Sequence, residues 1–240
     1  MNYVIWNDKD SRDIKGLLIS ELPPITKPKM RVKETVIDGV DGSIIEELGY
    51  ESYDKSILIG LKIGADVDEI SEFFTGSGEI VFSNEPDKYY KARIINSIDY
   101  ARLLRYKVAQ VTFRVQPFKN SRVEVPREAT SDQDYMIVEN IGNHTAKPII
   151  TITGSGTVSL RVNSTEIFQY TFPENENTVV IDCEKQDAYR EGYPSVLRNR
   201  WMVGSFPILE KGSTTILWKG VGEPVGDVTN IRIEKYSRWL

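Results

Sequence analysis

Few residues in this chain could carry chemistry, and they are scattered. Among 240 residues there is one histidine and one cysteine. His144 lies in the polar stretch Asn140 to Thr145, where an imidazole could serve a nucleophile as general base or bind a metal. A serine nucleophile would need a presenting turn, and the chain has no Gly-x-Ser-x-Gly elbow; Gly154-Ser155-Gly156 reads as a turn between strands. With only His144 and Cys183 available, a Cys/His zinc site lacks ligands. Asp182 and Glu184 would share one face of a strand, whereas glycosidase carboxylates flank a substrate from facing walls, so surface carboxylates are the plainer reading. Asp8, Asp10 and Asp13 have the opening spacing of a calcium loop without its glycine at the sixth position or its glutamate at the twelfth. Gly220-Val221-Gly222 with Gly226 misses the dinucleotide spacing and has no helix predicted after it, so a hairpin loop is expected there. Exposed tryptophans can stack on sugar rings. Trp218 closes an alternating strand and reads as structural, which leaves Trp201 as the candidate carbohydrate contact. The expectation is no catalytic residue, no metal and no cofactor.

The strongest local signal is conformational. In Ile37-Asp38-Gly39-Val40-Asp41-Gly42-Ser43-Ile44 two Asp-Gly pairs stand three residues apart, giving two positions where a positive φ costs little. A tight turn between two strands follows. The formal net charge of −5 is spread over the whole chain, and neither half carries the clustered positive charge that phosphate binding needs. A lone cysteine excludes an intrachain disulfide, so stability is expected from packing or assembly. The N-terminus has no basic region followed by an apolar one, and no apolar run reaches the length of a membrane span, so a soluble protein made in a cytoplasm is expected.

The elements that must position these residues are mostly strands. In the first half, strands are expected at Tyr3 to Trp6, Leu17 to Ile19, Met30 to Ile37 (an edge strand), Lys55 to Ile63, Ile80 to Phe82, Tyr89 to Ile98 and Lys107 to Val115. Pro23, Pro24 and Pro28 make the approach to Met30 extended, and Pro117 is expected to close the last strand. One short helix is expected after Asp66, an N-cap with Glu69 three residues on; it ends at Gly76, and a loop is expected near Asp99 to Leu104. Val125 to Asp134 turns polar and reads as a linker, dividing the chain into domains at 1–125 and 126–240. In the second half short strands recur about every ten residues, the spacing of an antiparallel sandwich. They are expected near Met136 to Glu139, Pro148 to Thr153, Thr157 to Val162, Ile167 to Phe172, Thr178 to Asp182, Phe206 to Leu209, Thr214 to Trp218 and Val228 to Glu234, with turns at Asn163-Ser164 and Pro173 to Asn177.

Taken in order, these signals resemble the siphophage distal tail protein family. In the first half the resemblance rests on the extended proline segment, Ile37 to Ser43, Leu48-Gly49-Tyr50, Phe73-Phe74-Thr75-Gly76, Val81-Phe82-Ser83, Asp87 to Arg93, and Val111-Thr112-Phe113 ending at Pro117-Phe118. In the second half it rests on Asn140-Ile141-Gly142-Asn143 with Pro148, Val180-Ile181-Asp182-Cys183, Gly204 to Leu209 with Gly212, and Trp239. It covers nearly the whole chain. The resemblance implies a mainly β protein: an N-terminal β-barrel or sandwich-like belt domain with one short helix, then a galectin-like antiparallel β-sandwich. It further implies a structural virion protein of the tail tip, assembled in the host cytoplasm. Members form a ring, usually hexameric, joined to the major tail-tube protein on one side and to the tail-associated hub protein on the other; some hold receptor-binding proteins. On this reading Asp38, Gly39, Asp41, Gly42 and Ser43 form a candidate assembly interface. The competing expectation is a lectin-like host-recognition module using Trp201.

Overall fold

The computed structural model describes residues 1–163 and 165–240, with residue 102 described by its backbone alone. The chain folds into two compact units, Met1–Arg122 with Leu240, and Val123–Trp239.

The first unit runs β1 (Val4–Trp6), β2 (Lys9–Asp10), β3 (Leu17–Glu21), β4 (Met30–Val36), β5 (Ser43–Tyr50), β6 (Tyr53–Leu61), α1 (Val67–Phe73), β7 (Ser77–Phe82), β8 (Lys88–Ile94), α2 (Tyr100–Tyr106) and β9 (Val108–Ser121). Its main sheet is antiparallel in the order β2-β1-β7-β8-β9-β6-β3. Alternation sets its inner face: Ile57 of β6 stands opposite Val111 of β9 and Ile59 opposite Ala109, with Phe113 on the same face, and Ile57, Ile59, Val111 and Phe113 are fully buried. Phe113 is the hub, with ring centroids 5.4 Å from Trp6, 6.0 Å from Phe82 and 6.4 Å from Phe74. Helix α1 covers this core with Ile70 and Phe73. As expected, the Asp66 carboxylate caps it by accepting from the amides of Asp68 and Glu69, and Gly76 follows at φ +85°.

Three local expectations fail here for physical reasons. Residues 99–104 lie mainly in the second helix, α2, and not in a loop; its seven residues bury Leu103 alone among those described, too short a span for periodicity to show. Pro117 does not close β9. The strand continues to Ser121, because the β8–β9 register shifts between Tyr90 and Ala92 and a proline's missing N–H is tolerated at such a bulge. Ile63 lies beyond the end of β6 and is fully exposed.

The second unit is a two-sheet sandwich. Its strands are β10 (Arg127–Thr130), β11 (Tyr135–Asn140), β12 (Ile149–Ser155), β13 (Thr157–Val162), β14 (Thr165–Thr171), β15 (Thr178–Asp182), β16 (Asp187–Arg190), β17 (Tyr193–Leu197), β18 (Met202–Gly204), β19 (Gly212–Val221) and β20 (Asp227–Glu234). One sheet has the order β10-β20-β12-β15-β16-β17 and the other β11-β19-β13-β14-β18. Their inner faces enclose one core that includes Ile150, Ile152, Leu160, Phe168, Ile181, Ile216 and Ile231. Part of the stretch read as a linker is strand β10, paired with β20 through buried Ala129; a single small inward side chain leaves no alternation to detect. Phe206 to Leu209 is not a strand and contributes only the isolated bridge Ala146–Leu209. The Gly220 to Gly226 segment is not a hairpin loop, since β19 and β20 belong to different sheets. Of the Asn163-Ser164 turn, Asn163 adopts φ 48°, while Ser164 lies outside the described residues.

Candidate assembly surface

The double Asp-Gly turn stands at the tip of an arm. β4 and β5 pair only with each other, apart from the main sheet of their unit. The arm's incoming stem is fastened to the body by side chains that donate to its carbonyls. Asn84 donates to Pro23 (3.0 Å), Lys55 to Pro24 (2.8 Å) and Tyr53 to Thr26 (3.3 Å). These bonds satisfy carbonyls that a proline-rich segment cannot place in a ladder. Beyond the stem the body makes no ladder with the arm, and residues 31–36 and 43–49 are all exposed.

At the tip the glycines supply handedness and not packing space. Gly39 adopts φ +82° and Gly42 φ +89°, and nothing lies within 4 Å of where a Cβ would stand at either. The Val40 amide donates to the Ile37 carbonyl (3.2 Å), and the Ser43 hydroxyl donates to the Glu34 carboxylate (2.5 Å), locking the turn to its strand. Asp38 and Asp41 are exposed at the same tip.

The arm exposes what a monomer normally buries. Val32, Val36, Val40, Ile44, Ile45 and Leu48 are 47–69% exposed. So dense a set of exposed aliphatic side chains on one element is unusual for the surface of a monomer. Charge is unevenly split as well: Lys27, Lys29, Arg31 and Lys33 lie on or before β4 with Glu34 the one acid among them, whereas Glu46, Glu47 and Glu51 lie on or after β5 with no base. Lys33 and Glu46 pair across the hairpin at 3.7 Å with both side chains exposed, a contact worth little by itself. The two free edges therefore differ in sign. That asymmetry was readable as two charge runs; the exposure of the isoleucines was not, since alternating apolar strands are ordinarily half-buried.

Beneath the arm's stem lies a buried ionic cluster that the strand pattern concealed. Lys55 and Lys119 are 3% and 6% exposed and Glu85 8%. Glu85 accepts from Lys119 (2.8 Å) and from the Tyr90 hydroxyl (3.0 Å). Burial lowers the Lys55 ammonium to about 8, with Glu85 opposing and Lys119 adding to the shift. Burial raises the Tyr90 phenol far above its ordinary value.

The remaining candidate residues do not converge. His144 lies beside the Thr145 hydroxyl (3.2 Å), and its amide donates to the Arg238 carbonyl. Asp182 is buried, accepts from the amides of Glu184 and Lys185 and pairs with the Lys185 ammonium (3.2 Å); Glu184 pairs with Arg238 (3.2 Å). Trp201 is partly buried and packs against the sandwich core, and its buried indole N–H has no acceptor among the described residues. Cys183 is buried with its thiol pushed up by desolvation, which makes it unreactive. Asp10 is held below its ordinary value chiefly by hydrogen bonding to Arg12. Among the described residues no group of His, Cys, Asp or Glu is placed to hold a metal, and no helix is long and apolar enough to cross a membrane.

No protein-family model and no curated protein sequence matches the chain. Solved structures do. The crystal structure of SPP1 Dit (gp 19.1), described as a paradigm of the hub adsorption apparatus in Gram-positive infecting phages, aligns over 100% of both chains with a TM-score of 0.65 at 16% identity. The fold is that of a phage distal tail protein. Chains of the phage p2 baseplate in its activated conformation, with calcium or strontium, align with TM-scores of 0.51 and 0.50 at 8% identity, covering 98–100% of this chain and 97–98% of theirs. The distal tail fold is thus retained over both units of the chain, in sequences that share little beyond it.

Proposed function

We propose that this protein is a structural component of a phage tail tip, a distal tail connector whose N-terminal unit closes into a ring, six copies in the form the family resemblance implies. The observation that carries the proposal is the β4–β5 arm, with exposed aliphatic side chains, two unpaired edges and opposite charge on those edges. A ring needs heterologous contacts that close, one surface of each copy meeting a different surface of the next. An edge that is basic on one side and acidic on the other meets that requirement, because the β4 side of one arm complements the β5 side of its neighbour. Asp38, Gly39, Asp41, Gly42 and Ser43 then lie at a contact between copies or with the tube. The tail-tube protein and the tail-associated hub protein stack on the two faces of the ring, and the sandwich units position receptor-binding partners. The mechanism is geometric and requires no catalysis. The decisive experiment is the solution mass of the full chain by light scattering coupled to size exclusion, with negative-stain images. A ring is expected. Replacing both Gly39 and Gly42 by Val is expected to impair assembly while the monomer stays folded, and unchanged assembly would refute the role of the tip.

A further inference from the structure

The outer faces of the two sandwich sheets are finished differently. On the six-stranded sheet several charges pair with one another: Arg232 with Glu128 (3.3 Å) and with Glu234, and Asp182 with Lys185. On the five-stranded sheet Arg161, Lys219 and Glu139 form no ion pair among the described residues, and of the three only Arg161 is partly buried. Arg161 makes no side-chain hydrogen bond or ion pair among the described residues, and its Nε is buried without an acceptor. A desolvated guanidinium nitrogen without a partner is costly, and a ligand oxygen would remove that cost.

What surrounds Arg161 is ordered for a ligand. Register places Tyr135, Leu217, Arg161 and Glu166 in one row across β11, β19, β13 and β14. Three strand intervals make that row about 14 Å long. Glu166 stands opposite Arg161 only because the β13–β14 register shifts between Leu160 and Arg161, a bulge that re-aims the carboxylate. Its two oxygens are fixed by the fully buried Ser159 hydroxyl (2.5 Å) and by Gln169 Nε2 (3.0 Å). These hydrogen bonds, then Arg161 and Lys219, hold the carboxyl below its ordinary value, so it remains an acceptor. Tyr135, 53% exposed, gives the other end of the row an aromatic face.

We infer that the outer face of the five-stranded sheet is a saccharide-binding surface centred on Arg161 and Glu166, taking a neutral oligosaccharide. Sugar hydroxyls both donate and accept, so neighbouring hydroxyls match a guanidinium beside a carboxylate. Tyr135 offers the apolar ring face a stacking surface and Leu217 the floor between. An anionic ligand fits less well, because the charged Glu166 directly beside Arg161 repels it. This surface is separate from Trp201 and independent of ring formation.

The test uses the full chain against a panel of neutral hexasaccharides of glucose, galactose and N-acetylglucosamine, with heparin and polyphosphate as acidic probes, by titration calorimetry. At least one neutral hexasaccharide is expected to bind, with Kd raised roughly tenfold or more by Arg161→Ala and by the isosteric Glu166→Gln. Melting temperature and assembly mass, measured on the same variants, are expected to stay unchanged, which separates this inference from the ring proposal. Binding of no neutral hexasaccharide at about 10 mM would overturn it. So would binding insensitive to both substitutions, or binding of the acidic probes alone with Glu166→Gln strengthening it.

Discussion

Ile44 and Ile45 of the arm and Ile57 and Ile59 of the neighbouring strand β6 are the same residue within fifteen positions of one another, yet the first pair is 59% and 61% exposed and the second fully buried. Both pairs lie on antiparallel strands of one unit. The difference is what the opposite side of the strand meets. β6 is flanked by β9 and β3 and roofed by the aromatic cluster around Phe113. β5 pairs only with β4, and around Ile44 and Ile45 a two-stranded hairpin has no third layer. One region spends its apolar surface on folding, and the other leaves it exposed, available for the association proposed above.

The contrast is broken most sharply through the core. Phe113→Ala is expected to destabilise the first unit by about 3–5 kcal/mol, because it empties the position that touches Trp6, Phe74 and Phe82. Denaturant unfolding followed by tryptophan fluorescence measures it, and a loss under about 1 kcal/mol would mean that Phe113 is not the hub. Next comes the buried ionic cluster. The folded pKa of Lys55, about 8, lies below its ordinary 10.5. The unfolded chain therefore binds more protons between those values, and stability rises with pH across that window. The gain is at most about 3 kcal/mol and is fully absent below pH 8, where the buried lysine is charged in both states. Melting at pH 7.5 and 9.5 should show the rise in the wild type and lose it in Lys55→Met; a flat wild-type profile would contradict the burial of that ammonium. Asp66→Ala, which removes the cap of α1, is expected to cost about 1 kcal/mol. The smallest stability effect belongs to the arm: Ile44→Ser with Ile45→Ser should change monomer stability by no more than about 0.5 kcal/mol, since neither side chain is buried.

The same contrast explains what could be read in advance. The strands with alternating cores, β6, β9, β13 and β19, declare themselves because one face is aliphatic; the capped helix declares itself through Asp66 and Phe73-Phe74. Helix α2 and strand β10 do not, for each is anchored by one inward side chain, Leu103 or Ala129. Of the candidate surface, the turn at Ile37 to Ile44 was visible because two glycines must take positive φ. That the strands leading to it would stand free was not, because exposure is decided by which neighbours a strand lacks. Arg161 was hidden in the same way. Its environment depends on a bulge two strands pair around, and no spacing along the chain records it.

The central claim is that the arm is built for copies of this chain, and one comparison tests it most directly. Light scattering coupled to size exclusion should give the wild type the mass of a closed ring of several copies, and give Ile44→Ser with Ile45→Ser the mass of a folded monomer with an unchanged melting curve. A wild type that remains monomeric at every concentration, or a double variant that assembles as the wild type does, would contradict it.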